Sequence, residues 1–131
     1  MTRTTRLGAI ALALLLTGCG SGGGSSADLK VTGTVTTSGA PGAQTASLDM
    51  TDALTFVPNV VQAKVGTLTL TSENAGVVPH NLVFDDSALG GTETVKAHAT
   101  STLTLTLKTP GTFRFTCTFH PRMDGKLVVG S

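Results

Sequence analysis

The chain is 131 residues long, room for one ordinary domain and too short for two independent cores once its ends are set aside. Charged residues make up 13% and the aromatics are five Phe with no Trp or Tyr, while Thr and Val recur, a balance that favours strands over solvated helices. The formal charge of +1 includes Arg3 and Arg6; without them seven basic side chains face eight acidic ones, which excludes a basic field for nucleic acid.

In chain order, Arg3 and Arg6 precede an apolar run from Leu7 to Leu16 that ends in Leu16-Thr17-Gly18-Cys19. Ten residues are too few for a mature membrane span, so residues 1–18 are expected to be an export leader. The Leu-Thr-Gly-Cys ending resembles a bacterial lipobox, which implies cleavage before Cys19 and lipidation of its sulfur. The competing expectation is an ordinary signal peptide with an incidental Cys19. Residues 19–27, mostly Gly and Ser, then form a flexible lipid-anchored linker, and the domain occupies 28–131. The expected station is the extracytoplasmic face of the cell membrane, with acyl chains as the anchor.

Beyond the linker, Leu29, Val31 and Val35 alternate with polar or small residues as a strand does, and Thr36 to Ala46 reads as a Gly, Ser and Thr loop. Seven further strands follow the period-two pattern: Leu54 to Phe56, Val60 to Lys64, Thr67 to Thr71, Asn81 to Phe84, Thr102 to Leu107, Thr112 to Cys117 and Lys126 to Val129. The clearest sets Leu103, Leu105 and Leu107 on one face and Thr102, Thr104 and Thr106 on the other. Gly66, Gly76, Gly90-Gly91, Pro110-Gly111 and Asp124-Gly125 mark turns between them. No amphipathic helix is expected after residue 27. The predicted fold is all-β, a Greek-key β-sandwich of about seven or eight strands.

Cysteine usage points to chemistry. With Cys19 committed to lipid, Cys117 has no partner, and a lone thiol in an oxidising compartment calls for an occupant such as a metal. It opens the run Cys117-Thr118-Phe119-His120-Pro121-Arg122-Met123. A thiolate and a thioether suit Cu(I), imidazoles suit Cu(II), and two His with one Cys in a near-trigonal plane under a weak axial Met serve both. A loop this short cannot bring a second imidazole. His80, in Val78-Pro79-His80-Asn81-Leu82, opens a neighbouring strand and is the expected fourth ligand. The predicted metal set is His80, Cys117, His120 and Met123, with one copper per chain.

At these residues the chain resembles the cupredoxins, and its Cys-x-x-His-x-x-Met loop is similar to the short form of the amicyanin type. Phe56-Val57-Pro58, Val65-Gly66, Asn74, Pro79-His80-Asn81 and the closing Gly125-Lys126-Leu127-Val128-Val129 keep the cupredoxin order. The resemblance covers about residues 48 to 130. It implies single-electron transfer, a monomer, and weak transient docking to redox donor and acceptor proteins. It also implies a role for Asn81 in tying the His80 segment to the Cys117 strand and hydrogen-bonding the thiolate. Electrons are expected to pass at the His120 edge, through a surface of Pro79, Phe119 and Pro121.

Plainer readings compete. Taken alone, His80 is a loop histidine and Met123 a core methionine; only their company makes them ligands. His98, between Ala97 and Ala99, reads as a surface residue and Asp85-Asp86 as a solvated turn. Cys117 and His120 make a poor thiol-protease pair because both sit on one tight loop without a separate orienting group, so no enzyme is expected. Zinc would find Met123 a poor ligand. The rival function is a non-redox copper carrier or buffer at the cell surface. Carriers add Met-rich or His-rich segments, whereas this chain has three Met and three His.

Overall fold

The computed structural model describes residues 28–131. The expected leader (1–18), the lipidation site Cys19 and the linker (19–27) lie outside the described residues. Nine strands are found among those described: β1 (Thr34–Thr36), β2 (Gln44–Thr51), β3 (Thr55–Val57), β4 (Val60–Lys64), β5 (Gly66–Asn74), β6 (Val83–Phe84), β7 (Thr100–Leu107), β8 (Gly111–Thr116) and β9 (Asp124–Gly130). They form a five-stranded sheet in the order β1-β4-β9-β8-β6 and a four-stranded sheet in the order β3-β2-β5-β7. The all-β sandwich expected from the sequence is thus the observed fold.

Alternation explains how the sheets enclose one core. In β5, Leu68, Leu70, Ser72 and Asn74 are buried, and in β9 Gly125, Leu127 and Val129 are. The outward Thr102, Thr104 and Thr106 of β7 suit a solvated strand face, since a β-branched side chain packs well on a pleat. Without Trp or Tyr, the aromatic centre is Phe115, fully buried and edge-on to Phe56 at 5.1 Å and to Phe84 at 5.5 Å between ring centroids. Gly125 makes room for it: a Cβ at that position would stand 2.2 Å from the Phe115 ring. The same buried cluster includes Cys117 and Met123.

Two expectations near the start of the domain are corrected. The first strand is shorter than the Leu29 to Val35 alternation implies: only Thr34–Thr36 pairs, parallel to β4, and Val31 is 55% exposed. Thr32 and Asn59 hold the preceding stretch instead, through the Thr32 N–H to Asn59 Oδ1 and the Asn59 amide to the Lys30 carbonyl. The Thr36 to Ala46 stretch is not loop throughout. A 3-10 turn at Pro41–Ala43 leads into β2, whose Gln44, Ala46, Leu48 and Met50 face inward while Thr45, Ser47 and Asp49 face out. The polar composition of its first half hid that alternation. Gln44 tolerates burial because its amide donates to the Pro41 and Lys64 carbonyls and accepts from the Thr37 hydroxyl and the Lys64 N–H.

Candidate metal centre

The strand pairings place the centre. β8 and β9 are antiparallel, with Thr116 opposite Asp124, so residues 117–123 are the connection of a hairpin. β6 lies on the other side of β8, with Val83 opposite Thr116. Continuing that register past the strand ends sets Asn81 opposite Thr118 and brings His80 beside the hairpin loop. Side chains complete it: the Thr118 N–H donates to Asn81 Oδ1 (2.8 Å) and Asn81 Nδ2 donates to the Thr118 hydroxyl (2.9 Å). Asn81 therefore ties the two segments, and the bond its Nδ2 donates goes to Thr118. The hydrogen-bond neighbours of the Cys117 sulfur among the described residues are the two imidazoles.

The hairpin loop is folded on itself. The Cys117 N–H donates to the Met123 carbonyl (2.9 Å) and the Met123 N–H to the His120 carbonyl (3.3 Å). Arg122, at φ +67°, takes the left-handed conformation that reverses the chain before Met123. His80 is held differently, by a two-way backbone bridge to Val95 (3.2 and 2.7 Å).

Three donor atoms converge. Cys117 Sγ lies 3.4 Å from His120 Nδ1 and 3.9 Å from His80 Nδ1, and the three ligand atoms all fall within 4.8 Å of one another. Donors at about 2.0 to 2.3 Å from one ion in a trigonal plane stand about 3.7 Å apart, so these separations fit a shared ion. A thiol with two imidazoles is also the donor set that suits copper in both oxidation states. His80, Cys117 and His120 form a candidate copper site. Met123 is fully buried next to it, joined by backbone bonds to both Cys117 and His120. His98 lies away from this cluster, exposed and at φ +58°.

Burial differs between the two histidines. His80 has no exposed surface, and its Nε2 is buried without a hydrogen-bond partner. Desolvation foremost, then the neighbouring His120, push the His80 pKa below the ordinary imidazole value, while Asp52 and the Thr51 carbonyl oppose them more weakly. The ring is thereby kept neutral, as a metal ligand must be. His120 is half-buried, its ring 6.4 Å edge-on from Phe119, which is 49% exposed. Pro79 and Pro121 are exposed as well, together with Val77.

The family model of the cupredoxin-like domain matches residues 8–129. The chain belongs to that family. Chloroplastic plastocyanin of Hordeum vulgare is 37% identical over 86 residues, which cover 58% of this chain and 55% of that protein. The chain thus spans about half the length of this curated cupredoxin relative. A point variant of amicyanin, in its reduced Cu(I) form at pH 4, is 31% identical with a TM-score of 0.55 and covers 64% of this chain and 80% of its own. The metal-binding domain of a Cu(I)-exporting P-type ATPase from Streptococcus pneumoniae superposes with a TM-score of 0.65, covering 77% and 99% of the two chains. At 16% identity it shows a shared fold alone.

Several residues that shape this cupredoxin centre escaped the sequence reading. Asn74 enters it only as part of the family order, yet its buried amide donates to the Val78 carbonyl (2.7 Å) and the Val95 carbonyl (3.1 Å) and accepts from the Gly76 N–H (3.0 Å). Arg122 enters it only as a spacer in the Cys117 to Met123 run, and Asp52 does not enter it at all. An Asn two residues before a Gly is the one local signal, since Asn favours bonding its own backbone two residues on.

Proposed function

We propose that this protein holds one copper ion through His80, Cys117, His120 and Met123 and passes single electrons between redox proteins. The observation that carries the reading is the buried Cys117 sulfur with two imidazole Nδ1 atoms at 3.4 and 3.9 Å. Copper supplies a one-electron couple, Cu(II)/Cu(I), to such a donor set. The side chains supply the rest. Cys117, as thiolate, offsets positive charge inside the sandwich; His80 shuts water out; and the bonds that fix both loops keep the ligands from moving when the charge changes. The relatives support the same reading, since the amicyanin variant carries Cu(I).

His120 is the only imidazole of the pair with an open edge; exposed Phe119 stands 6.4 Å from its ring, and the two ligand loops also expose Pro121, Pro79 and Val77. Electrons enter and leave there, across weak and short-lived contacts with donor and acceptor proteins. The protein works as a monomeric carrier rather than an enzyme. It is exported and lipid-anchored through Cys19 to the extracytoplasmic face of the membrane, a reading supported by the Leu-Thr-Gly-Cys ending of the apolar run.

An absorption spectrum after adding Cu(II) tests the centre. An intense visible thiolate band, bleached reversibly by reductant with copper retained, is the expected result. No visible band would end the proposal, and copper lost on reduction would favour the carrier reading. Detergent partitioning of Cys19→Ala tests the anchor, with loss of membrane association expected.

A further inference from the structure

The loop from Ala75 to Pro79 delivers His80 to the centre, and an element far from it in sequence grips that loop. Asp52, in the turn between β2 and β3, points one carboxylate oxygen at two consecutive N–H groups, Val77 at 2.9 Å and Val78 at 3.0 Å. Successive backbone N–H groups aimed at one oxygen form an anion-binding nest. The seat is fitted: a Cβ on residue 76 would lie 2.0 Å from Asp52 Oδ1 and 2.4 Å from its Cγ, so only Gly76 leaves space for the carboxylate. From the opposite side Asn74 takes the Gly76 N–H and the Val78 carbonyl. With Pro79 fixing φ and His80 bridged to Val95, the placement of the His80 ring follows from how these groups are clamped.

We propose that Asp52 is a positioning residue for the metal ligand His80, a brace outside the centre that also supplies a fixed negative charge lowering the potential of copper held there. The inference rests on the copper reading given above. Asp52 touches none of the ligands, and it acts through the backbone of residues 76–78. The Val78 N–H foremost, joined by the Val77 N–H and against the opposing pull of desolvation, holds the Asp52 carboxyl below the usual carboxylate range, so it is anionic at neutral pH. An anion near the centre favours the more positive, oxidised state. Because Asp52 is solvent-exposed, salt screens that influence.

Two variants of the full chain separate brace from charge. Asp52→Asn keeps an acceptor oxygen and removes the charge; Asp52→Ala removes both. Amide hydrogen exchange on the metal-free protein reads the brace, and the visible spectrum and potential of the copper-loaded protein read the ligand and the charge. In Asp52→Ala the Val77 and Val78 amides are expected to exchange at least about tenfold faster, with a shifted thiolate band and a raised potential. In Asp52→Asn exchange and band stay as in the parent while the potential rises, less so at high salt. Parent-like exchange in Asp52→Ala overturns the brace, and an unmoved potential in Asp52→Asn overturns the charge effect. A parent protein that develops no thiolate band with Cu(II) overturns the copper reading, and the exchange result still decides whether the brace exists.

Discussion

The two loops that meet at the centre are built on opposite plans. Residues 117–123 carry three of the predicted ligands and are closed by their own backbone, Cys117 to Met123 and Met123 to His120. Residues 75–80 carry one ligand and are gripped from outside that stretch, by Asp52, by Asn74 at the end of β5 and by the Val95 bridge. The contrast shows that one site can draw geometry from a local turn and from long-range braces at once. A mutation should therefore be judged by which plan it disturbs.

The largest effect should come from the self-closed loop. Cys117→Ser removes the thiolate, and the Cu(II)-loaded protein should lack the intense visible band entirely; a band of parent strength would mean the sulfur is no ligand. Next comes the braced loop. Asn74→Ala leaves the Gly76 N–H and the Val78 and Val95 carbonyls short of their partner in a buried setting, and should destabilise the fold by about 2 to 4 kcal/mol in urea denaturation. A loss under about 1 kcal/mol would show that the loop stands without its brace.

Gly125→Ala probes the floor beneath the self-closed loop, where the added methyl meets the Phe115 ring and the Asn59 carbonyl. The expected cost is about 1 to 3 kcal/mol by thermal or urea unfolding, and a neutral result would mean that the core yields more easily than its packing implies. A smaller effect is expected from pH on the metal-free protein. His80 binds its proton less readily folded than unfolded, so below about pH 6.5 the unfolded chain holds more protons and stability falls as pH falls toward the lowered folded value. Denaturation midpoints that do not decline between about pH 7 and pH 5 would contradict the buried, neutral ring. The smallest effect belongs to Arg114→Ala. Arg114 bridges Asp85 (3.1 Å) and Asp124 (2.7 Å), yet it is 54% exposed, so its loss should change stability by less than about 1 kcal/mol.

The same contrast explains what could be read in the sequence. Cys117 and His120 are legible because their spacing is local, with Met123 expected from the same run, and His80 follows from the need for a neighbouring strand. Leu103, Leu105 and Leu107 announce β7 by alternation, and the run from Val60 to Lys64 gives β4 at its observed ends. β2 is hidden because Gln44, Thr45 and Ser47 look like loop residues until Gln44 is seen to satisfy its amide with backbone groups and the Thr37 hydroxyl. Asp52 lies 25 residues from the loop it grips and bonds only main-chain N–H groups, which have no side-chain signature to match. Arg122 adopts a positive φ that its residue type does not foretell.

The packing of Phe115 between Phe56 and Phe84 reaches past stability. Benzyl side chains are very hard to oxidise, and with neither phenol nor indole anywhere in the chain the interior offers no aromatic relay on which an electron hole could rest. Under the function proposed above, hopping through aromatic radicals in the sandwich is thereby closed, and exchange would pass by a single tunnelling step at the exposed imidazole edge. A protein working in that way is a one-door conductor, whose rate is governed by how closely a partner approaches that door.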